Sequence, residues 1–401
     1  MSPHRTTAGE PAASLAPAWA AVASMSLGVF GLVGAEFLPA SLLTSMASDL
    51  AVSEGMAGQA VTATAVTGLL ASLTVAALTY GIDRRRVLLG FSVLLVLSNF
   101  VVALAPNMWV LLLGRILLGA ALGGFWSLST AVVMRLVPPA DVPRALSIVV
   151  SGVSAATIFA APVGSFLGEL WGWRSVFVGA AVLGGITFMM QLATLPALPP
   201  RGRASLGTLA RLLARRRVAL AMLAVLLVFA GHMGMFTYVR PFLEGVTGIG
   251  VGAVSATLLA FGVANFAGNY LGGLMVARSL RLTLALAPLT IGTLAILLAG
   301  TGGSFVTDLA IVSLWGLSFG TVPVGWSAWI ARSVEDEAES AGGLLVAAIN
   351  LAIALGAAVG GLVLELSGIE SVFVASGSLL LLAAATVLAA VRPAAMAAKA
   401  T

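Results

Sequence analysis

There is no cysteine among the 401 residues, so disulfides, thiolate metal sites and cysteine nucleophiles are excluded. Two histidines, His4 and His232, are too few for a histidine-rich metal centre. Nineteen of the 20 basic residues are arginine, and the one lysine, Lys399, stands near the end of the chain. A Walker A loop needs an internal lysine, so ATP does not drive this chain through one. Charge of either sign is scarce: 9% of residues carry it, where a soluble domain has about a quarter. What is present instead is 60% hydrophobic residues and 46 glycines, a composition suited to tight helix packing in lipid. The chain therefore reads as an all-α polytopic membrane protein with no cofactor and no metal.

One stretch organises the rest. Trp19 to Ala40 is long enough to span a ~30 Å hydrocarbon core, and from Trp19 to Phe37 its only charged residue is Glu36. An intramembrane carboxylate faces a bundle interior or a wet cavity. Two readings stand: a structural acid bonded to a neighbouring helix, or a proton or cation site. Apolar runs punctuated by Pro106, Pro138, Pro139, Pro143 and Pro196 predict twelve helices, at 18–44, 55–80, 87–105, 108–134, 144–170, 174–195, 218–242, 251–276, 282–301, 304–331, 339–366 and 370–391. Segments 1–17 and 392–401 read as cytoplasmic tails.

The loops are charged asymmetrically. Seventeen basic residues fall on the side of the N-terminus, against only Arg174 and Arg240 on the other, where Asp49, Glu54, Glu169, Glu244, Asp308, Glu365 and Glu370 gather. The positive-inside rule then predicts both termini in the cytoplasm. It also accounts for the net charge of +5 without a nucleic-acid surface. Residues 196–217 read as a cytoplasmic linker: Pro196, Pro199 and Pro200, then six arginines, with Leu206, Leu209, Leu212 and Leu213 on one face of a short amphipathic helix. The linker separates two six-helix halves, 18–195 and 218–391, and the halves repeat. Glu169-Leu170-Trp171-Gly172-Trp173-Arg174-Ser175-Val176-Phe177 returns as Glu365-Leu366-Ser367-Gly368-Ile369-Glu370-Ser371-Val372-Phe373, six of nine residues matching at an offset of 196. Parallel six-helix repeats with a site between them near the midplane are a transporter architecture.

Arg115, followed by Gly119, sits about 12 Å inside the fourth helix, at a depth similar to Glu36. A buried Arg needs a partner, so an acid–base neighbourhood on helices 1 and 4 is expected. On these motifs the chain resembles the major facilitator superfamily, and within it the twelve-helix drug:proton antiporters. Arg115 resembles that group's proton-coupling arginine. Asp83-Arg84-Arg85-Arg86 resembles its charged loop between helices 2 and 3, shortened here by the glycine of the basic run. Gly152 with Ala161-Pro162-Val163-Gly164 resembles its helix-5 motif, with Ala161 and Ser165 where the pattern has glycine. The resemblance implies proton coupling through Glu36 and Arg115, and gating through Asp83, Arg84, Arg85, Pro162 and Gly164. Topogenic arginines and plain helix packing are the competing readings of the gating motifs.

Further stretches, Glu36-Phe37-Leu38-Pro39, Gly123-Gly124-Phe125-Trp126, Phe236-Thr237-Tyr238-Val239-Arg240-Pro241 and Val322-Pro323-Val324-Gly325-Trp326-Ser327, are similar to exporters of purine ribonucleosides. Several are shared with sugar and drug exporters, which remain the alternative. The implied activity is export of purine ribonucleosides such as inosine and guanosine in exchange for protons, by a monomer in the bacterial inner membrane. Trp126, Trp326, Trp329, Phe236 and Tyr238 offer stacking surfaces. Gln59, His232, Asn265, Asn269 and Asn350 offer hydrogen bonds inside apolar spans, and Arg240 lies beside the Tyr238 stretch. Helix–helix hydrogen bonding is the competing reading for each amide. The chain shows one intramembrane acid, one buried arginine and one histidine in its spans, too few for a convergent catalytic cluster, so an enzyme is not expected.

Overall fold

A computed structural model describes residues 18–199, 211–334 and 338–390. The tails and most of the expected linker helix, including Leu206 and Leu209, lie outside the described residues. Among the described residues twelve helices are long and apolar enough to cross a membrane. In chain order they are α1 (Trp19–Asp49), α2 (Glu54–Leu78), α3 (Arg84–Ala103), α4 (Met108–Leu136), α5 (Val142–Trp171), α6 (Trp173–Thr194), α7 (Arg216–Thr237), α9 (Val251–Arg278), α10 (Leu280–Thr301), α11 (Phe305–Ser333), α12 (Ala338–Ser367) and α13 (Ile369–Ala390). A short α8 (Val239–Gly245) follows α7. The expected seventh helix, 218–242, is thus two. Pro241 has no N–H, and its ring crowds the carbonyl four residues back, that of Thr237, so α7 ends there.

The halves pair their helices in the same way. α1 lies on α5 and α6, α2 on α4, and α3 on α4 and α6; correspondingly, α7 lies on α12 and α13, α9 on α11, and α10 on α11 and α13. Glycine permits the tightest of these crossings. A Cβ on Gly123 of α4 would stand 2.0 Å from the Gly68 carbonyl oxygen of α2, and one on Gly268 of α9 would stand 2.0 Å from the Leu317 carbonyl oxygen of α11.

Between halves, α2 packs on α12 and α5 on α9. At the arginine-poor end side chains of the two halves meet. The Tyr238 hydroxyl donates to the Ala357 carbonyl (2.8 Å) from a slot whose walls are Gly58 and Gly361. Arg240 donates to the Ser41 carbonyl, and Ser53 to the Glu365 carboxylate. Asp308 is fully buried there, accepting from Thr247 Oγ1 (2.6 Å) and the Gly303 amide (3.1 Å). At the linker's far side 211–214 is helical, and Leu212 is buried in the core of the second half.

Candidate functional site

In α1, Pro39 cannot donate to the carbonyl four residues back. That carbonyl, Ala35, is left without a helical partner in a region where water does not supply one. Arg115 fills it: Nη1 donates to the Ala35 carbonyl at 2.8 Å. Nη2 reaches the Glu36 carbonyl (3.4 Å), and Nε reaches the Ala60 carbonyl of α2 (3.3 Å). Arg115 is completely buried, and its own carbonyl accepts from Thr64 Oγ1 at 3.3 Å. The acid–base neighbourhood expected on helices 1 and 4 is present, with one correction: among the described residues no ion pair joins the two side chains. The guanidinium holds the backbone of the turn that carries Glu36, while the half-buried carboxyl is left out of that network.

Across the interface, Phe37 meets Phe236 edge-on, ring centroids 5.5 Å apart. Behind Phe236 lies His232, 2% exposed. Its ring stacks on Phe319 at 3.3 Å and on Phe236 at 5.6 Å, and Phe261 lies parallel at 6.2 Å. Trp315 Nε1 donates to His232 Nδ1 at 3.0 Å. An indole N–H only donates, so Nδ1 carries no proton and the neutral ring holds its hydrogen on Nε2. Phe261, Trp315 and Phe319 were not among the expected site residues. They come from α9 and α11, and depth counting is the signal that points to them.

The other expected substrate residues divide. Trp126 is half-buried in α4 beside Phe125. Gln59 is half-buried at the α2–α12 seam and donates to the Gly55 carbonyl (3.3 Å). Tyr238 and Arg240 are corrections. Both are at most 2% exposed: Tyr238 bonds Ala357 within its own half while its ring packs against Gly58 of the other, and Arg240 bonds Ser41 across the halves and pairs with Glu244 at 2.8 Å. Trp326 and Trp329 are corrections too: they pack on each other at 6.2 Å within the second half's core. Asn265 donates to the Gly316 carbonyl of the neighbouring α11 (3.3 Å), a bond between helices, whereas Asn269 donates within its own helix to the Asn265 carbonyl (3.4 Å). Asn350 donates to the Val346 carbonyl (3.0 Å) and leaves a buried Oδ1 unpaired against Gly68 of the other half.

Of the gating residues, Asp83 caps α3 by accepting from the Arg85 amide (2.8 Å) and also holds the Leu198 amide (3.0 Å). Arg84 bonds Thr79, and Arg85 bonds the Leu192 carbonyl, so the loop clamps the exit of α6. Pro162 and Gly164 are buried where α5 lies on α1; a Cβ on Gly164 would stand 2.7 Å from Leu38. Gly316-Leu317-Ser318-Phe319-Gly320 spells the letters of a hydrolase elbow but lies inside α11, with no strand-to-helix turn to expose the serine.

Twelve spans in two similarly paired halves, with an intramembrane acid between them, define a secondary-transporter architecture. The chain belongs to the Major Facilitator Superfamily, whose family model matches residues 25–344. It is 46% identical over 376 residues to the "Purine ribonucleoside efflux pump NepI" of Escherichia coli (strain K12), covering 94% of this chain and 95% of that one. The pump of the same name in Shigella flexneri matches equally, and that of Shigella dysenteriae serotype 1 is 45% identical. Two solved structures share the fold at 16% identity. A D-xylose–proton symporter has a TM-score of 0.79, covering 94% of this chain and 98% of that one. A bacterial homologue of the human lysosomal transporter Spinster has 0.76, covering 93% and 96%.

Proposed function

We propose that this chain exports purine ribonucleosides such as inosine and guanosine in exchange for protons, across the bacterial inner membrane, with both termini in the cytoplasm. The observation that carries the substrate is the 46% identity along 94% of the chain to a relative named for that export. The domain limits follow the repeat: a half at 18–195, a linker at 196–217, and a half at 218–391. Membrane lipid surrounds a monomer.

The site lies where Phe37 meets Phe236, between the turn held by Arg115 and the aromatic layer around His232. A purine has flat apolar faces and a polar edge. The aromatic layer stacks the faces, and His232 Nε2–H, Trp126 and Asn350 Oδ1 meet the edge and the sugar. Glu36 carries the proton. A carboxyl in apolar surroundings keeps its proton, and beside a cation or in water it releases it. Arg115 is tied to the Ala35 carbonyl and stays with α1, so the changing terms are water access and substrate occupancy at Glu36. One site that holds either proton or substrate gives antiport. Opening of the arginine-poor end separates Arg240 from Ser41 and Ser53 from Glu365, as the halves rock about the site.

The test is uptake of labelled inosine into inverted vesicles with an imposed pH gradient. Accumulation that collapses with a protonophore is expected. Arabinose or a lipophilic cation carried under the same gradient, with inosine ignored, overturns the substrate assignment and leaves the coupling assignment standing.

A further inference from the structure

On the flank of the first half, α1, α5 and α6 leave a groove of about 290 Å³. Its floor is made of small residues, Gly31, Gly34 and Ala35 of α1 and Gly179 of α6. Its rim carries Phe159 and Trp171, both exposed. Every lining residue belongs to these three helices, so the groove opens sideways rather than between the halves. All three helices are spans, so what meets the opening is lipid. From Phe159 to Trp171 it runs twelve residues along α5, ~18 Å at 1.5 Å per residue, close to one leaflet's share of a ~30 Å hydrocarbon core.

We propose that this groove is a binding site for one acyl chain of a membrane phospholipid, whose phosphate is met by Arg174. A single acyl chain is narrower than a helix, which is about 10 Å across with its side chains, and it suits a groove confined to three neighbouring helices. The lining is apolar but for Ser175, whose hydroxyl is turned onto the Gly172 carbonyl. Charge complementarity favours a lipid with a headgroup. Arg174 directly precedes Ser175 at the groove's end and is 39% exposed, whereas Arg240, the other basic residue on that side, is buried. Arg174 is ion-paired with Asp49, so the pair offers a cation to the phosphate and an anion to the ammonium of a zwitterionic headgroup. The chain in the groove lies against Ala35, whose carbonyl anchors Arg115. Its consequence for transport rests on the coupling role given above to Glu36 and Arg115; its occupancy does not.

Gly179→Leu fills the groove. A Cβ there meets nothing within 4 Å, and leucine is the better helix former. Gly185→Leu on the same helix has equal room and lies outside the groove, so it serves as control. Wild type and variants are purified in mild detergent and their retained phospholipid counted by native mass spectrometry. Thermal unfolding is then followed as phosphatidylethanolamine is added, since a ligand that binds the folded state stabilises it. Wild type and Gly185→Leu are expected to retain lipid and to gain stability on its addition. Gly179→Leu is expected to lose at least half of the retained lipid and most of the gain. Equal retention in all three overturns the site. So does a dimer in wild type that vanishes in Gly179→Leu, since the groove would then hold a second copy. If Gly179→Leu does not fold, Gly34→Ala narrows the same groove with its Cβ 3.7 Å from Ala160, and a partial loss is expected. Diacylglycerol, which lacks phosphate, is expected to stabilise less than the phospholipid. Equal stabilisation overturns the role of Arg174. Lipid counting requires no transport, so these outcomes are independent of substrate and coupling.

Discussion

The two halves share a pairing scheme and differ in what they bury. Arg115 is the eighth residue of α4, and Val312 is the eighth of α11; both are fully buried. Where the first half sinks a charge and a proline-freed carbonyl, the second stacks His232, Phe236, Phe261, Trp315 and Phe319. At this depth a frame duplicated by repeat holds a charge on one side and π-surfaces on the other, while the second half's buried charges, Asp308 and Arg240, lie at the arginine-poor end. The first half's interior can answer a proton, because Glu36 sits there on the turn that the buried cation Arg115 holds. The aromatic interior can hold a flat ligand and has one neutral ring with a locked tautomer. The division predicts that variants of the first half disturb energy coupling and variants of the second disturb affinity.

The largest effect is expected at Glu36. Glu36→Gln keeps size and hydrogen bonding but fixes a neutral group, so accumulation driven by a pH gradient should fall to background while binding and fold persist. Near wild-type accumulation would make Glu36 structural. Arg115→Lys should impair coupling almost as much, since one ammonium cannot span three carbonyls on two helices as the planar fork does. Gradient-free exchange should survive in both.

Next comes the shared frame. Gly123→Ala and Gly268→Ala force a methyl against backbone at equivalent crossings, and overpacking of this kind costs roughly 1–3 kcal/mol. Equal losses in thermal stability are expected. A loss at one only would mean that the halves are not equivalent in packing.

Much of this was legible beforehand. Apolar runs and prolines placed the spans, and a carboxylate inside the first of them marked Glu36. The Arg115 anchor was also within reach, because Pro39 names Ala35 as the carbonyl that needs a donor. The break before α8 was signalled by Pro241 in the same way. The aromatic layer was harder. Trp315 and Trp326 are eleven residues apart, on one face of α11, and look alike as stacking candidates. Depth tells them apart. His232 is about 24 Å from the arginine-rich start of α7 at 1.5 Å per residue. Trp315 is about 27 Å from that end of α11, and Trp326 only about 10 Å. The closure by Tyr238 and Arg240 was not legible, because residue type does not reveal which side chains meet across two halves far apart in sequence.

A smaller effect is expected from Trp315→Phe, which removes one hydrogen bond to His232, a contribution of about 1 kcal/mol. Substrate should bind about fivefold more weakly with unchanged dependence on the pH gradient, read by titration calorimetry and by vesicle uptake. A changed gradient dependence with intact affinity would break the division of labour.

The smallest effect sharpens the comparison within the repeat itself. Glu169 and Glu365 hold the same position in the two copies of the motif. Glu365 accepts from Ser53, the N-cap residue of α2, whose oxygen also takes the Met56 amide at 3.1 Å. α5 packs on α9 as α12 packs on α2, but the N-cap of α9 is Gly250, which has no hydroxyl to give, and Glu169 is exposed. Only one copy can therefore latch the halves. Glu365→Gln turns a charge-assisted bond into a neutral one, a loss on the order of 1 kcal/mol. On a two-state opening that is about a fivefold shift toward the state open at the arginine-poor end. A cysteine placed at Gln59, half-buried in that seam, should react severalfold faster from that side in Glu365→Gln than in its parent, and at the parent rate in Glu169→Gln. Ser53→Ala, which removes that bond outright and the α2 cap with it, should accelerate the reaction at least as much as Glu365→Gln, and adding Glu365→Gln to it should change little, because the bond is already gone. Equal acceleration by Glu169→Gln would show that surface charge, not the latch, sets the opening.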